Sequence, residues 1–319
     1  MKNPKLTKVA ALFRVIRIVN SCAVFVATFV GGLLSLGGQI VSGAVVLLSD
    51  SGQPLPRNGG FLSSVGALPH LPHVGAGFST IALASASVSF LAAFGYALND
   101  YYDVRADQVN RPSRPIPSGI LSRESVLAMA VLCVVAAALF ALRLRPLMQL
   151  TLAGMCALVW LYSAWLKRTG LGGNVLVSLL AGSTLLFGGL SAGNMRPTLF
   201  PALLAFLVNL PREIAKDVQD LKGDSPLGSR SVASVRGEGF ALRLASVFVC
   251  VLVVVSFLPY RAGLYNRYYL AIVLLLDALL VWVAASLWRS ASRGRLVSAI
   301  RVLKLTMLAG LLAIVLGSL

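Results

Sequence analysis

Nine apolar stretches, each long enough to cross a bilayer, divide this chain of 319 residues and settle its class before any motif is considered. A spanning helix needs about 20 mostly apolar residues. Its backbone satisfies its own hydrogen bonds, which lipid cannot do for it. The stretches run roughly over 15–47, 78–99, 122–142, 147–166, 173–192, 198–216, 239–258, 267–288 and 298–318. Charged residues make up only 12% of the chain and hydrophobic ones 57%, against about 25% charged in a soluble domain. The expected fold is all-α and polytopic. The first stretch is overlong and is expected to continue, or to bend, beyond the bilayer at Gly31-Gly32 or Gly37-Gly38. A basic start (Lys2, Lys5, Lys8, Arg14, Arg17) runs into it with no small-residue cleavage site, so it reads as an uncleaved span.

The net charge of +17 would point to nucleic acid in a soluble protein. Here the basic residues flank spans without interleaved aromatics, so anionic lipid head groups are the expected partner and nucleic acid is not. Nine spans put the termini on opposite sides. The N-terminal side, with the segments around 100–121, 167–172, 212–243 and 289–304, gathers 22 of the 28 Lys and Arg. The positive-inside rule therefore places that side in the cytoplasm and the chain in the cell membrane, multi-pass. The loop 49–77 falls on the other side. Its His70 and His73 lack a carboxylate or cysteine partner and read as loop or interfacial residues. Cys22, Cys133, Cys156 and Cys250 lie singly in apolar segments and read as packing residues.

Acidic residues are scarce, and seven of the eleven sit in two clusters at the ends of apolar spans on that same side. The first is Asn99-Asp100-Tyr101-Tyr102-Asp103-Val104-Arg105-Ala106-Asp107; the second runs from Arg212-Glu213 through Asp217, Asp220 and Asp224. Asp100, Asp103 and Asp107 are spaced three and four apart, and so are Asp217, Asp220 and Asp224. Both intervals hold side chains on one helical face. Each cluster is followed by a loop rich in Pro, Ser, Gly and Arg, so the halves read as an internal repeat with motifs at 99–107 and 213–224. The remaining acids are isolated. Glu124 follows Ser122 in an early helical turn, Asp50 and Glu238 are loop residues, and Asp277 lies within a span.

Carboxylates gathered on one face repel unless a cation lies between them. Hard oxygen ligands suit Mg²⁺, which takes one or two carboxylates and completes its shell with water and substrate phosphate. Two such faces at a membrane surface point to a diphosphate, with Arg111, Arg114, Lys167, Arg168, Lys216 and Lys222 to cover its remaining charge. An allylic diphosphate departs when metal and cations neutralise it. The carbocation left behind needs a dry pocket with aromatic faces. Tyr96, Tyr101, Tyr102, Trp160, Tyr162 and Trp165 lie near the right depth. An ion or lipid-phosphate transporter would instead place its acids near the midplane.

These residues resemble the UbiA superfamily of intramembrane prenyltransferases. Asn99, Asp100, Asp103 and Asp107 are similar to its N-D-x-x-D-x-x-x-D signature, followed by N-R-P-x-R-P-I-P-S-G at 110–119. Lys216, Asp217, Asp220, Gly223 and Asp224 resemble its second motif in the form K-D-x-x-D-x-x-G-D, and Tyr162-Ser163, Lys167 and Gly173-Asn174 the stretch between. The resemblance implies a single domain over 1–319, a nine-helix bundle around a central cavity with cytoplasmic helical caps, and Mg²⁺-dependent prenyl transfer. It implies Asn99, Asp100, Asp103, Asp107, Asp217, Asp220 and Asp224 as metal ligands. Asn99, Asp103, Asp107, Asp217 and Tyr162 would be catalytic. Arg114 and Lys167 would touch the diphosphate and Tyr162 the allyl group. Arg17, Asn20, Arg111, Asn174, Lys216 and Lys222 would complete substrate binding, although Ile18 replaces a proline of the family's first-helix element. The motifs are most like the branch that moves a geranylgeranyl group from its diphosphate to geranylgeranylglyceryl phosphate, an archaeal ether-lipid precursor. An aromatic acceptor, 4-hydroxybenzoate or another quinone precursor, stands second.

Overall fold

The computed structural model describes residues 4–49, 72–224, 228, 230–289 and 292–319. The expectations for His70 and His73 lie outside the side chains it describes. The helices are α1 (Pro4–Val15), α2 (Ile18–Ser49), α3 (Pro72–Tyr102), α4 (Val104–Asn110), α5 (Arg123–Ala141), α6 (Pro146–Ala164) and α7 (Leu171–Ser191). They continue as α8 (Leu199–Asp224), α9 (Val232–Arg236), α10 (Glu238–Ser256), α11 (Leu258–Arg261), α12 (Arg267–Trp288) and α13 (Arg293–Gly317). Local chemistry sets several starts. Ser122 caps α5 by accepting from the Ser125 N–H at 3.2 Å, with Glu124 in that first turn. Pro146 stands at the beginning of α6, where its missing N–H costs nothing. Asn266 caps α12 through the Tyr268 and Tyr269 N–H groups.

Among the described residues nine helices are long and apolar enough to cross a membrane. Their outward faces carry apolar side chains: Leu150 and Leu275 are each 71% exposed. Outward leucines of this kind suit lipid rather than water as the surrounding solvent, and the chain is a multi-pass membrane protein. Two boundaries differ from the sequence reading. The sixth span does not stop near 216, because α8 carries its helix through Asp224. The ninth starts at Arg293 rather than 298, which puts Lys304 eleven residues inside α13. Charges on one face of a helix lower its mean hydropathy without breaking its backbone, so a hydropathy reading ends such helices too early.

The bundle has two apolar clusters. One joins α1, α3, α5 and α6 through Val15, Val88, Leu91, Val126 and Met148. The other joins α8, α10, α12 and α13 through Ile214, Val249, Leu280 and Leu303. Helices α2 and α7 pack closely on each other. A Cβ at Gly188 would lie 1.9 Å from the Thr28 carbonyl oxygen, and one at Gly31 would lie 2.3 Å from that of Leu185. Glycine at Gly31 thus serves close approach, the usual device of lipid-embedded helix pairs, and α2 remains one helix to Ser49. A cavity of about 570 Å³ opens between the clusters, with Val88 and Met155 on one wall and Val208 and Leu280 on the other.

Candidate active site

The first acidic cluster sits where α3 ends. Asn99 and Asp100 occupy its last turn, Asp103 is the residue between α3 and α4, and Asp107 lies within α4. The hydrogen-bond ladder survives the break: the Asp103 N–H donates to the Asn99 carbonyl at 2.9 Å and the Asp107 N–H to that of Asp103 at 2.8 Å. The three-and-four spacing therefore still works as it does in a helix. After Arg111 the Pro-rich segment turns back, and Arg114 reaches both Asp100, at 3.1 Å, and Asp107. Burial holds the Asp107 carboxyl above the usual carboxylate range, against the pull of Arg114. Burial also opposes the Arg114 charge, but Asp100 and Asp107 outweigh it and hold the guanidinium above its ordinary value.

Asp100 has a second guanidinium. Arg17 lies between α1 and α2 and contacts it at 3.1 Å, with its own group 4.9 Å from the Tyr96 ring centroid. Arg17 has φ +47°, left-handed backbone that costs a non-glycine residue about 1–2 kcal/mol. The paired carboxylate and the ring beneath hold it there. Asp100 is 5% exposed and accepts from both Arg17 and Arg114 on Oδ1, so in this geometry it positions the two guanidinium groups.

The second cluster lies wholly on α8. Asp217 accepts from the Asn174 side chain on α7 at 2.9 Å. Asp220 accepts from Arg111 at 2.6 and 2.9 Å. Lys167, in the turn between α6 and α7, pairs with Asp103. Burial works against that ammonium, but Asp103, Asp224 and Asp107 together raise it above its ordinary value. Asp224 has no ion-pair partner among the described residues. Asn110 ties the motifs together: its amide donates to the Asp220 carbonyl at 2.7 Å and accepts from the Gly223 N–H at 3.0 Å. A Cβ at Gly223 would lie 2.5 Å from that amide and 2.7 Å from the Ala106 carbonyl oxygen, which accounts for the glycine of the second motif.

Below the clusters the cavity is lined by Tyr96, Asn99, Tyr162, Arg212, Glu213 and Lys216, among others. Buried Glu213 accepts from Arg212 at 2.8 Å and from Lys216 at 2.7 Å. At the deep end Asp277 accepts from the Ser256 hydroxyl at 2.9 Å. Of the six aromatics, Tyr96 and Tyr162 line the cavity. Trp160 and Trp165 point outward, 51% and 63% exposed. Trp160 precedes Tyr162 by two residues, and that interval puts the two on opposite sides of a helix. Tyr101 packs edge-on against Tyr102 under Arg123. Lys222 is exposed and joins none of these contacts, and the Arg168 side chain lies outside the described residues.

A geometry of paired acidic helix ends over an apolar cavity now meets its relatives. Residues 59–314 match the UbiA prenyltransferase family. The chain belongs to that family. The digeranylgeranylglyceryl phosphate synthase of Methanopyrus kandleri is 42% identical over 231 residues, covering 72% of this chain and 84% of that protein. A solved structure from work on digeranylgeranylglyceryl phosphate synthase in membranes shares the fold, with TM-score 0.67 and 23% identity over 98% of both chains. A UbiA homologue from Archaeoglobus fulgidus, solved bound to GPP and Mg²⁺, aligns at TM-score 0.56 and 15% identity over 96% of this chain and 99% of that one.

Two structural facts bear on whether this UbiA-family site suits Mg²⁺. Among the described residues no three His, Cys, Asp or Glu converge on one point, so the protein offers no complete cage. Mg²⁺ needs none when substrate oxygens share the shell. Buried Asn99 Oδ1, meanwhile, has no hydrogen-bond partner, and neither has Arg212 Nε. An orphaned buried acceptor calls for a cation and an orphaned buried donor for an anion. The donor set fits. Sequence reasoning missed Arg212, Glu213 and Lys304 as cavity residues and Asn110 as the clamp. Arg212-Glu213 had a signal, since an ion pair inside an apolar run is costly unless it is used. Lys304 had none, because it reads as part of a basic flank.

Proposed function

We propose that this chain transfers a geranylgeranyl group from its diphosphate to the glycerol hydroxyl of geranylgeranylglyceryl phosphate, as the name of its Methanopyrus relative describes for that protein. The observation that carries this reading is the coupling of the two acidic motifs through Asn110 and Arg111 directly over an apolar cavity. Lys167, Arg114 and Arg111 already hold carboxylates of the motifs and are placed to bind the diphosphate. Mg²⁺ held by Asn99, Asp103, Asp107, Asp217, Asp220 and Asp224 would supply the charge neutralisation that lets the diphosphate leave. Asn174 fixes Asp217, and Asp100 orients Arg17 and Arg114.

The allylic C–O bond breaks toward the diphosphate. The glycerol oxygen then bonds the allylic carbon and loses its proton afterwards. The rings of Tyr96 and Tyr162 face the cationic carbon, and the apolar walls keep water from capturing it. Residues 1–319 act as one domain with two matching halves, each motif rooted in its own apolar cluster. The short helices α4 and α9 cap the mouth on the cytoplasmic side of the cell membrane, where the basic residues collect.

The deciding assay gives purified protein Mg²⁺ and radiolabelled geranylgeranyl diphosphate, with geranylgeranylglyceryl phosphate and 4-hydroxybenzoate as parallel acceptors. Product from the glyceryl phosphate alone is expected. Product from the aromatic acid alone moves the chain to quinone-type chemistry.

A further inference from the structure

Lys304 is a cation of the cavity that the proposed reaction leaves without a task. It reaches the cavity from α13, and its ammonium lies 2.9 Å from the Asn20 side-chain oxygen on α2. The other cations lining the cavity each hold a carboxylate: Arg17 holds Asp100 at 3.1 Å, while Arg212 and Lys216 hold Glu213 at 2.8 and 2.7 Å. Among the described residues Lys304 has no carboxylate within 4.0 Å. A lysine eleven residues inside a spanning helix is costly unless it reaches the interface or meets an anion.

Its surroundings point to an anion carried by a lipid. Helices α2 and α13 meet only sparsely. Val19 and Val26 on α2 and Leu308 on α13 line the cavity and are apolar and exposed. Lys304 and Asn20 stand on either side of the seam between these helices and bridge it. Asn20 uses its oxygen on Lys304, which leaves its amide hydrogens and two ammonium hydrogens to give. Arg17, which also lines the cavity, is already taken up by Asp100 at 3.1 Å. Lys304 and Asn20 thus offer convergent donors with no acid to absorb them, a receptor for an oxyanion.

We propose that Lys304, with Asn20, forms the subsite that binds the phosphomonoester headgroup of the lipid acceptor at the seam between α2 and α13. The subsite makes the enzyme select a phosphorylated lipid over the neutral alcohol. It rests on the reading above in that the acceptor is a lipid phosphate.

The test uses the full chain, its integrity checked by gel filtration. Binding of geranylgeranylglyceryl phosphate, geranylgeranylglycerol and inorganic phosphate is measured without donor, for the natural chain, Lys304→Gln and Lys304→Arg. Acceptor and donor KM follow in the transfer assay. Lys304→Gln is expected to weaken binding of the phosphorylated lipid, and to raise its KM, by about tenfold or more. The effect falls on the acceptor rather than the donor, is absent with the neutral alcohol, and is largely rescued in Lys304→Arg. Equal affinity in Lys304→Gln overturns the subsite and leaves a lysine that only snorkels to the interface. Equal weakening of phosphorylated and neutral lipid also overturns it. Inorganic phosphate binding as tightly as the lipid, with the same dependence on Lys304, overturns the assignment to a lipid headgroup. Lys304-dependent binding without product sinks the reaction and keeps the subsite; product without Lys304 dependence does the reverse. A natural chain that neither binds nor converts the phosphorylated lipid sinks both.

Discussion

Arg111 lies 2.6 and 2.9 Å from the two carboxylate oxygens of Asp220, so a residue of the loop after the first acidic motif binds an acid of the second. The neighbouring Asn110 makes the same connection through the backbone, holding the Asp220 carbonyl and the Gly223 N–H at once. The two motifs are thus one unit, built from segments that lie far apart in the chain.

Gly223→Ala is expected to pull that unit apart. The added methyl would meet the Asn110 amide at 2.5 Å and the Ala106 carbonyl at 2.7 Å, and backbone cannot yield as a side-chain end does. Overpacking of this kind costs about 1–3 kcal/mol. Thermal unfolding in detergent should show a lowered midpoint, and transfer should fall by more than the lost folded fraction explains. A variant with natural stability and activity would show that the clamp is dispensable.

Asp103→Ala and Asp217→Ala should each lower transfer by about 100-fold or more, the scale on which a group that stabilises transition-state charge is lost. Both should still migrate as the folded chain, because each acid bonds a single side chain from another element, Lys167 or Asn174. Natural turnover in either purified variant contradicts their role.

Metal removal gives an independent check. With EDTA in excess, transfer should stop, and added Mg²⁺ should restore it without refolding. Full turnover in a chelated, metal-free preparation rules out the assignment of the Asn99 and aspartate oxygens.

Tyr162 separates ring from hydroxyl. Its side chain lines the cavity and is 8% exposed. Tyr162→Phe keeps the aromatic face and should retain most activity. Tyr162→Leu loses a cation–π contact worth about 0.5–2 kcal/mol, or roughly 2- to 30-fold in kcat. Equal kcat in the Phe and Leu variants would remove the ring from the reaction.

Much of this was open to reading along the chain. The nine spans follow from apolar runs, because lipid demands helices of a set length. The matched spacing of Asp100, Asp103, Asp107 and of Asp217, Asp220, Asp224 is legible because helical period is local and survives even the break at Asp103. The end of α8 at Asp224 was harder, since its charges mask a helix that hydropathy closes too early.

The sequence by itself therefore determined the membrane class, the number of apolar spans, the two acidic faces and the family those faces belong to. Each depends on residues within a few positions of one another. Only the tertiary structure decided which cation meets which acid, that Trp160 faces outward while Tyr162 faces the cavity, that Asn110 locks onto Gly223, and that Lys304 comes to rest beside Asn20. Those pairings are set by how whole helices pack and rotate against each other. The small residues at Gly31 and Gly188 that bring α2 against α7 lie far along the chain from the side chains they help to place.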